Sequence, residues 1–191
     1  MAGASAPQSP VASAEAADSP AQLIRQAGLA VAAALDAITL SLLSDIDALA
    51  VLGAVEQLGR RVDAARVSTA TDVADRSRSI LGHDSLAWKQ GASNSTDLIT
   101  RLTRVSAREA NRRVRLGGSV SQRRAGTSVL PPYYPAVAAG LTCGDLGVDA
   151  AEAIVTALDK VSPRVAPDDL LTAERALVAA ATGASTEETR G

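Results

Sequence analysis

Arginines at helical spacing are the residues of this sequence whose type and arrangement most clearly indicate a chemistry. Between positions 98 and 124 there are eight arginines and a single acid, Glu109. A guanidinium group is a rigid fork of N–H donors that can bind two phosphate oxygens at once. The spacing therefore predicts a surface that contacts a polyanion such as duplex DNA. The candidate residues, which follow one another at steps of three or four, are Arg101, Arg104, Arg108, Arg112 and Arg115.

The charge of the whole chain leaves a second interpretation open. The total is −2, and the seven net positive charges of positions 98–124 leave the remainder at −9. This asymmetry is typical of a protein that presents one surface to a polyanion. The acids elsewhere could instead pair with the arginines, which would then be the solvated face of an amphipathic helix. No aromatic residues alternate with the arginines, which argues against a stacking platform for single strands.

Residue types that support catalysis are scarce. One histidine, His83, and one cysteine, Cys143, cannot form a zinc site or a disulfide. We expect His83 at the surface and Cys143 buried as a small hydrophobe. Four acids could together bind a metal ion, but two of them, Asp149 and Glu152, are better explained as acids that favour a helix N-terminus. The four acids are Asp145, Asp149, Glu152 and Asp159. We predict no catalytic residue, no metal site and no cofactor in this chain.

Two short helices must position the arginines. The first spans Thr96 to Thr103 and would bury Leu98, Ile99 and Leu102. A capping box, Ser106-Ala107-Arg108-Glu109, opens the second, which we expect to end at Gly117-Gly118. Two helices joined by a tight turn have the outline of a helix-turn-helix unit.

A longer helix precedes this pair. Apolar or small residues recur at alternating steps of four and three, which is a heptad seam. If this helix continues to Arg76, its thirty or so residues span about 45 Å. The seam could pack against the first helix of the same chain, or it could join two copies in a homodimer. It consists of Val51, Val55, Leu58, Val62, Ala65 and Thr69.

Further helices complete an all-α prediction, which the small aliphatic, aromatic-poor composition favours. Ser19-Pro20 begins a helix that we expect to reach Leu43. A helix from Val148 to Lys160 buries one face, and another runs from Asp168 to Ala181. The predicted buried positions are Ala151, Ile154, Val155 and Leu158 in the former, and Leu170, Ala173, Leu177 and Ala180 in the latter.

The organisation that we predict is a disordered tail over 1–18, a helical domain over 19–182 and the start of a further segment over 183–191. A second capping box, Ser185-Thr186-Glu187-Glu188, stands just before the chain ends, so we expect the front part of a longer protein or of a gene cut short. The apolar stretch from Leu29 to Leu43 is too short to span a bilayer. With no signal peptide evident, we expect a cytoplasmic location and no membrane partner.

Several segments, in order, resemble the actinobacterial domain of unknown function 222, the 13E12 repeat family. The resemblance covers roughly Leu42 to Ala181. Its clearest stretches are Ser95 to Leu98, Val105 to Gly117, Leu130-Pro131, Pro135 to Gly140, Gly144 to Leu146, Val148 to Val155 and Ala173 to Leu177.

The resemblance implies an HNH nuclease module at the C-terminal end of the parent protein, with a histidine that activates water near a divalent metal ion. None of the HNH residues has a counterpart before Gly191, so this chain alone is not expected to be an enzyme. The sequence thus predicts a non-catalytic N-terminal domain that binds or positions DNA. The alternative is a helical scaffold or dimerisation module without nucleic-acid contact.

Overall fold

The computed structural model describes residues 19–125 and 128–187, without the side chains of 125 and 184–187. The chain divides into two compact units, residues 1–49 and 50–191. The predicted tail over 1–18 lies outside the described residues. The helices are α1 (Pro20–Asp36), α2 (Asp45–Arg76), α3 (Leu86–Lys89), α4 (Ser95–Thr103), α5 (Ala107–Val120), α6 (Pro135–Cys143), α7 (Val148–Val161) and α8 (Pro167–Glu187). Short 3-10 turns cover Leu40–Leu42, Ser79–Asp84 and Ser162–Arg164.

The all-α prediction is confirmed, with one small addition. Strands β1 (Arg123–Ala125) and β2 (Ser128–Leu130) form an antiparallel pair in which Arg124 lies opposite Val129. The sequence pattern predicts no helix or strand in this segment. None of the helices in the described part of the chain combines the length and apolar content needed to cross a bilayer.

In the first unit, α1 begins as predicted. The Ser19 hydroxyl accepts the N–H of Gln22 at 3.3 Å, and the Gln22 side chain accepts the N–H of Ser19 at 2.8 Å. The helix ends at Asp36, so the predicted extension to Leu43 is wrong: a 3-10 turn replaces its last residues. Ser44 caps the start of α2 by accepting the N–H of Asp47 at 3.2 Å.

The core of the second unit forms where α2, α5, α6, α7 and α8 meet. All four predicted core residues of α7 are buried, from Ala151 to Leu158. The prediction for α8 is partly wrong. Leu170 and Ala173 are half-buried, but Leu177 and Ala180 are exposed. Glu174 lies on the buried face of α8 instead, with only 1% of its surface exposed.

Glu174 is buried because it completes another helix. Tyr134, the residue before α6, offers no side-chain cap. The Glu174 carboxylate accepts the N–H groups of Ala136 and Val137 at 2.7 and 2.9 Å. These first amides have no partner within their own helix, and a negative charge at a helix N-terminus is favourable.

The helix boundaries differ from the prediction at two glycines. Gly117 does not end α5, which continues to Val120. A Cβ at Gly117 would collide with the Thr71 side chain and lie 3.1 Å from the Val67 carbonyl oxygen, so this glycine permits close packing of α5 on α2. Gly183 also lies within a helix, because α8 runs through Ser185 to Glu187. The new helix start predicted at Ser185 is therefore wrong, and residues 188–191 lie outside the described part.

Candidate nucleic-acid interface

The helix-turn-helix outline is present in α4 and α5. Asn94 caps α4 by accepting the N–H of Asp97 at 2.9 Å, and Ser106 caps α5 by accepting the N–H of Glu109 at 3.1 Å. Between the helices, Arg104 adopts a left-handed backbone with φ of 58°, which reverses the chain. A residue other than glycine rarely takes this conformation, so tertiary contacts must hold the turn.

Apolar contacts provide that support. Ile99 of α4 and Ala110 of α5 are buried together with Ala70 of α2. Leu98 is buried as predicted, in a cluster with residues of and after α3. The prediction that Leu102 is buried is wrong, because 72% of this residue is exposed in the last turn before the chain reverses.

Arg112 is the most constrained of the predicted site residues. Its Nε donates to Glu152 at 2.7 Å, and its terminal nitrogens pair with Asp149 and, at 3.7 Å, with Glu109. The hydrogen bond to Glu152, followed by that to Asp149, raises the pKa of Arg112. The same bond from Arg112 lowers the pKa of Glu152. Arg112 therefore ties α5 to α7.

Arg101 and Arg115 each pair with one carboxylate but keep exposed side chains. Arg115 pairs with Glu152 and is 73% exposed. Arg101 pairs with Asp97 at 2.7 Å, also donates to the Gly91 carbonyl, and is 59% exposed. Exposed ion pairs of this kind contribute at most about 1 kcal/mol, so phosphate can compete for these guanidinium groups.

Arg104 and Arg108 differ from the others. Both are exposed, and neither has a carboxylate within ion-pair distance among the described residues. They lie on either side of the turn between α4 and α5. Arg108, Asn111 and Arg115 are all exposed at steps of three and four, so they share the outer face of α5.

The charge that remains on this surface is smaller than the sequence suggested. Six arginines between positions 101 and 115 are accompanied by four acids: Asp97, Glu109, Asp149 and Glu152. The interpretation of internal pairing is thus confirmed for Arg112, and the acids of α7 take part in it. Glu109 does not bind back to the N–H of Ser106 as a full capping box requires. Its carboxylate is bound by Arg113 at 2.9 Å.

Sequence reasoning missed Asn111, which accepts a hydrogen bond from Thr96 at 2.7 Å and links the two helices. No charge pattern draws attention to an asparagine. Its place next to Arg108 and Arg115 on an exposed face could have been inferred from helical spacing alone.

The remaining candidates are spread over the chain. His83 is exposed, as predicted, and stacks on the Trp88 ring at 4.5 Å. The prediction that Cys143 is buried is wrong: it is exposed in the last turn of α6. Asp159 accepts the hydroxyl of buried Tyr134 at 2.5 Å. Across the described ranges, no group of three or more His, Cys, Asp or Glu residues could hold a metal ion.

Comparison with known proteins identifies a family for most of the chain. The family model described as "Domain of unknown function (DUF222)" matches residues 49–190. No curated protein and no solved structure matches the chain significantly. Since the model covers well over half of the sequence, including α4, α5 and all the arginines discussed above, the chain belongs to the DUF222 family.

Proposed function

We propose that this chain is a non-catalytic helical domain that binds duplex DNA through the outer surface of α4 and α5. The observation that carries the proposal is the pair Arg104 and Arg108. These two guanidinium groups lie beside the turn of a helix-turn-helix-like unit, are exposed, and have no neutralising carboxylate among the described residues. A phosphate near them would not have to displace an existing ion pair.

The ion pairs change the salt dependence that this surface should have. Contacts from all five predicted arginines would give a slope of log K against log salt near −4.5, from about −0.9 per phosphate. Arg112 is held by three acids and is better assigned to the fold. Arg104 and Arg108 alone predict a slope of about −1.8, and about −3.6 if Arg101 and Arg115 also turn to phosphates.

The outer face of α5 carries groups that can read bases as well. Arginine binds the edge of guanine and asparagine that of adenine, both with paired hydrogen bonds in the major groove. Arg108, Asn111 and Arg115 have the spacing of such a face. Asn111 would exchange its hydrogen bond with Thr96 for a base contact, and its side chain forms no other hydrogen bond among the described residues.

A salt titration on duplex DNA tests the proposal. We expect the double variant Arg104→Gln/Arg108→Gln to bind more weakly and to have a slope smaller in magnitude by about 1.8. The matched control is Arg175→Gln, which removes an exposed arginine of α8 far along the sequence. The proposal would be contradicted if the unsubstituted chain did not bind duplex DNA. It would also be contradicted if the double variant and the control bound equally strongly.

In the parent protein the domain would position DNA for a nuclease module of the HNH type. Family resemblance supports this part, and such a module would supply the divalent metal and the cleavage chemistry. We therefore expect the present chain, incubated with plasmid DNA and Mg²⁺, to leave the plasmid intact. Nicking that disappears when His83 is changed to Ala would contradict this assignment.

A second candidate function is a dimerising scaffold, and the orientation of α2 favours it. Val67, Ala70 and Thr71 form the core face of this helix. At 100° per residue, Leu58 lies about 180° from Val67, and Val55, Leu58 and Val62 are 38–42% exposed. The second unit's core therefore does not account for the heptad seam, and a second copy of the chain could cover it.

Sedimentation equilibrium tests this candidate. If the seam joins two copies, Val55→Lys/Val62→Lys should convert a dimer to a monomer, whereas Ile80→Lys, at a residue 86% exposed, should not. A parent chain that is monomeric at all concentrations would remove the scaffold function.

A further inference from the structure

A second group of arginines lies away from the turn of α4 and α5. Arg78 follows the end of α2, and Arg123 and Arg124 belong to β1. Together they line a pocket of about 160 Å³. The other lining residues are Thr71, Asp75, Gly117, Gly118, Ser121 and Gln122. A pocket of this size holds a phosphate group but not a whole nucleotide.

The charge of the pocket is positive and largely uncompensated. Asp75 is the one acid that lines it, against three arginines. Within the described residues, none of these arginines forms an ion pair; Arg78 donates its Nε to the backbone carbonyl of Asp75 at 3.1 Å. This differs from the surface of α5, where carboxylates from two helices neutralise most of the guanidinium charge.

One of the three arginines is fixed in place before any ligand arrives. Arg123 donates its Nε to the Pro131 carbonyl at 2.9 Å, and its guanidinium carbon lies 3.8 Å above the centre of the Tyr133 ring. Both contacts leave the terminal N–H groups of the fork available. A donor already held in position loses less conformational entropy when it binds an anion.

The walls of the pocket add small polar groups. The side chains of Ser121 and Gln122 are able to donate hydrogen bonds, and Gly118 leaves open space at the helix surface, because a Cβ there would meet no atom within 4 Å. Thr71 is not available, since its hydroxyl donates to the Val67 carbonyl at 2.9 Å.

We infer that the pocket bounded by Arg78, Arg123 and Arg124 is a binding site for a phosphate group. None of its three arginines belongs to α4 or α5, so it does not rest on the proposed function. The phosphate has two possible sources, the backbone of DNA and a free phosphorylated molecule. The recognising chemistry is the same: guanidinium forks, together with hydroxyl and amide donors, that line one pocket.

The experiment uses the full chain and two probes, inorganic pyrophosphate and a short DNA duplex, each followed by NMR titration of backbone amides. The test variants are Arg124→Gln and Arg78→Gln, and the control is Arg66→Gln, an exposed arginine of α2. Arg124→Lys retains the charge but not the fork, and it serves if either glutamine variant does not fold.

Two results would support the site. Pyrophosphate that shifts the amides of residues 117–124, with an affinity about tenfold lower in Arg124→Gln than in the control, indicates a free phosphorylated ligand. If pyrophosphate does not bind, a duplex affinity and salt slope that fall in Arg124→Gln, by about one unit of slope, indicate backbone phosphate.

Binding of both probes that is unchanged in Arg78→Gln and Arg124→Gln would overturn the inference, as would the absence of any shift at residues 117–124. These outcomes are separate from the fate of the proposed function. Weaker duplex binding in Arg104→Gln/Arg108→Gln without any effect of Arg124→Gln would leave the surface of α4 and α5 intact and remove the pocket.

Discussion

The carboxylate of Glu174 on α8 accepts the backbone N–H of Val137 at 2.9 Å, so one helix supplies the N-terminal cap of another. The same carboxylate accepts the backbone N–H of Ala136 at 2.7 Å. Because the α6 sequence provides no capping side chain of its own, α6 depends on α8 for the hydrogen bonds that its first turn cannot make internally.

Replacement of Glu174 by Ala should lower the free energy of unfolding by about 3 kcal/mol, since one buried and one partly buried amide lose a charged acceptor. Urea unfolding followed by circular dichroism measures the change. Glu56→Ala, at an exposed acid of α2, is the control and should have little effect. Equal midpoints for the two variants would show that the cap does not stabilise the fold.

Tyr134 should make stability fall at alkaline pH. Burial, followed by the hydrogen bond to Asp159, raises the pKa of this phenol. The folded state thus favours the protonated form, and the resulting stability is complete below the unfolded pKa of about 10 and is lost as the pH rises toward the folded value. In urea unfolding between pH 8 and 11, Tyr134→Phe should lose less stability than the parent chain.

Tyr133 provides the matched comparison, since it is exposed and adjacent. Tyr133→Phe should retain the alkaline loss of stability. In folded Tyr133→Phe, which retains Tyr134 as its one tyrosine, phenolate absorbance should remain low at about pH 10, because the pKa of Tyr134 is raised. Ionisation of Tyr134 near pH 10 in this variant would contradict the assignment.

The link between Arg112 and α7 should make stability fall at acid pH. The hydrogen bond from Arg112 lowers the pKa of Glu152. The stability that this ionised carboxylate contributes is therefore present above the unfolded pKa of about 4.3 and is lost as the pH falls through the folded value. Arg112→Gln should cost about 1–2 kcal/mol at pH 7 and should reduce the loss below pH 5. Arg175→Gln should change neither the stability at pH 7 nor the loss below pH 5. If the pH profile of Arg112→Gln ran parallel to that of the unsubstituted chain, the link would not contribute.

Adjacent glycines of α5 should respond to alanine with opposite signs. A Cβ at Gly117 meets Thr71 and the Val67 carbonyl, so Gly117→Ala should destabilise the protein by about 1–3 kcal/mol. Gly118 faces open space, and Gly118→Ala should stabilise the helix by about 0.5–1 kcal/mol. Thermal unfolding of both variants measures the difference, and a shift in the same direction would refute the packing argument.

The spacing of apolar residues predicts the buried face correctly where one face of a helix meets an apolar core. The stripe from Ala151 to Leu158 could be predicted because its residues are apolar and regularly spaced. The same periodicity favours Leu177 as a core residue of α8 and gives no sign that Glu174 is buried. The amides that stabilise the buried carboxylate of Glu174 belong to a distant segment of the chain, so the local sequence of α8 does not reveal them. Gly117 was interpreted as a helix end for a related reason, since the approach of α2 has no local signal.

The candidate site was predictable as a set of arginines but not as a charged surface. Helical spacing groups Arg108, Arg112 and Arg115, of which Arg108 and Arg115 are exposed on α5 and Arg112 is half-buried. Whether a guanidinium group is free depends on which acids the fold brings near it, and Glu152 lies 40 residues from Arg112 in the sequence. A count of charges therefore overestimated the positive potential of the segment.

The contact of Gly117 with α2 and the ion pairs of Arg112 with α7 hold α5 at two points along its length. A helix anchored in this way cannot tilt or slide to follow a partner. Any adjustment on binding must come from the long side chains at its surface or from bending and twisting of the partner itself, so a rigid partner of the wrong curvature would be rejected whatever its charge.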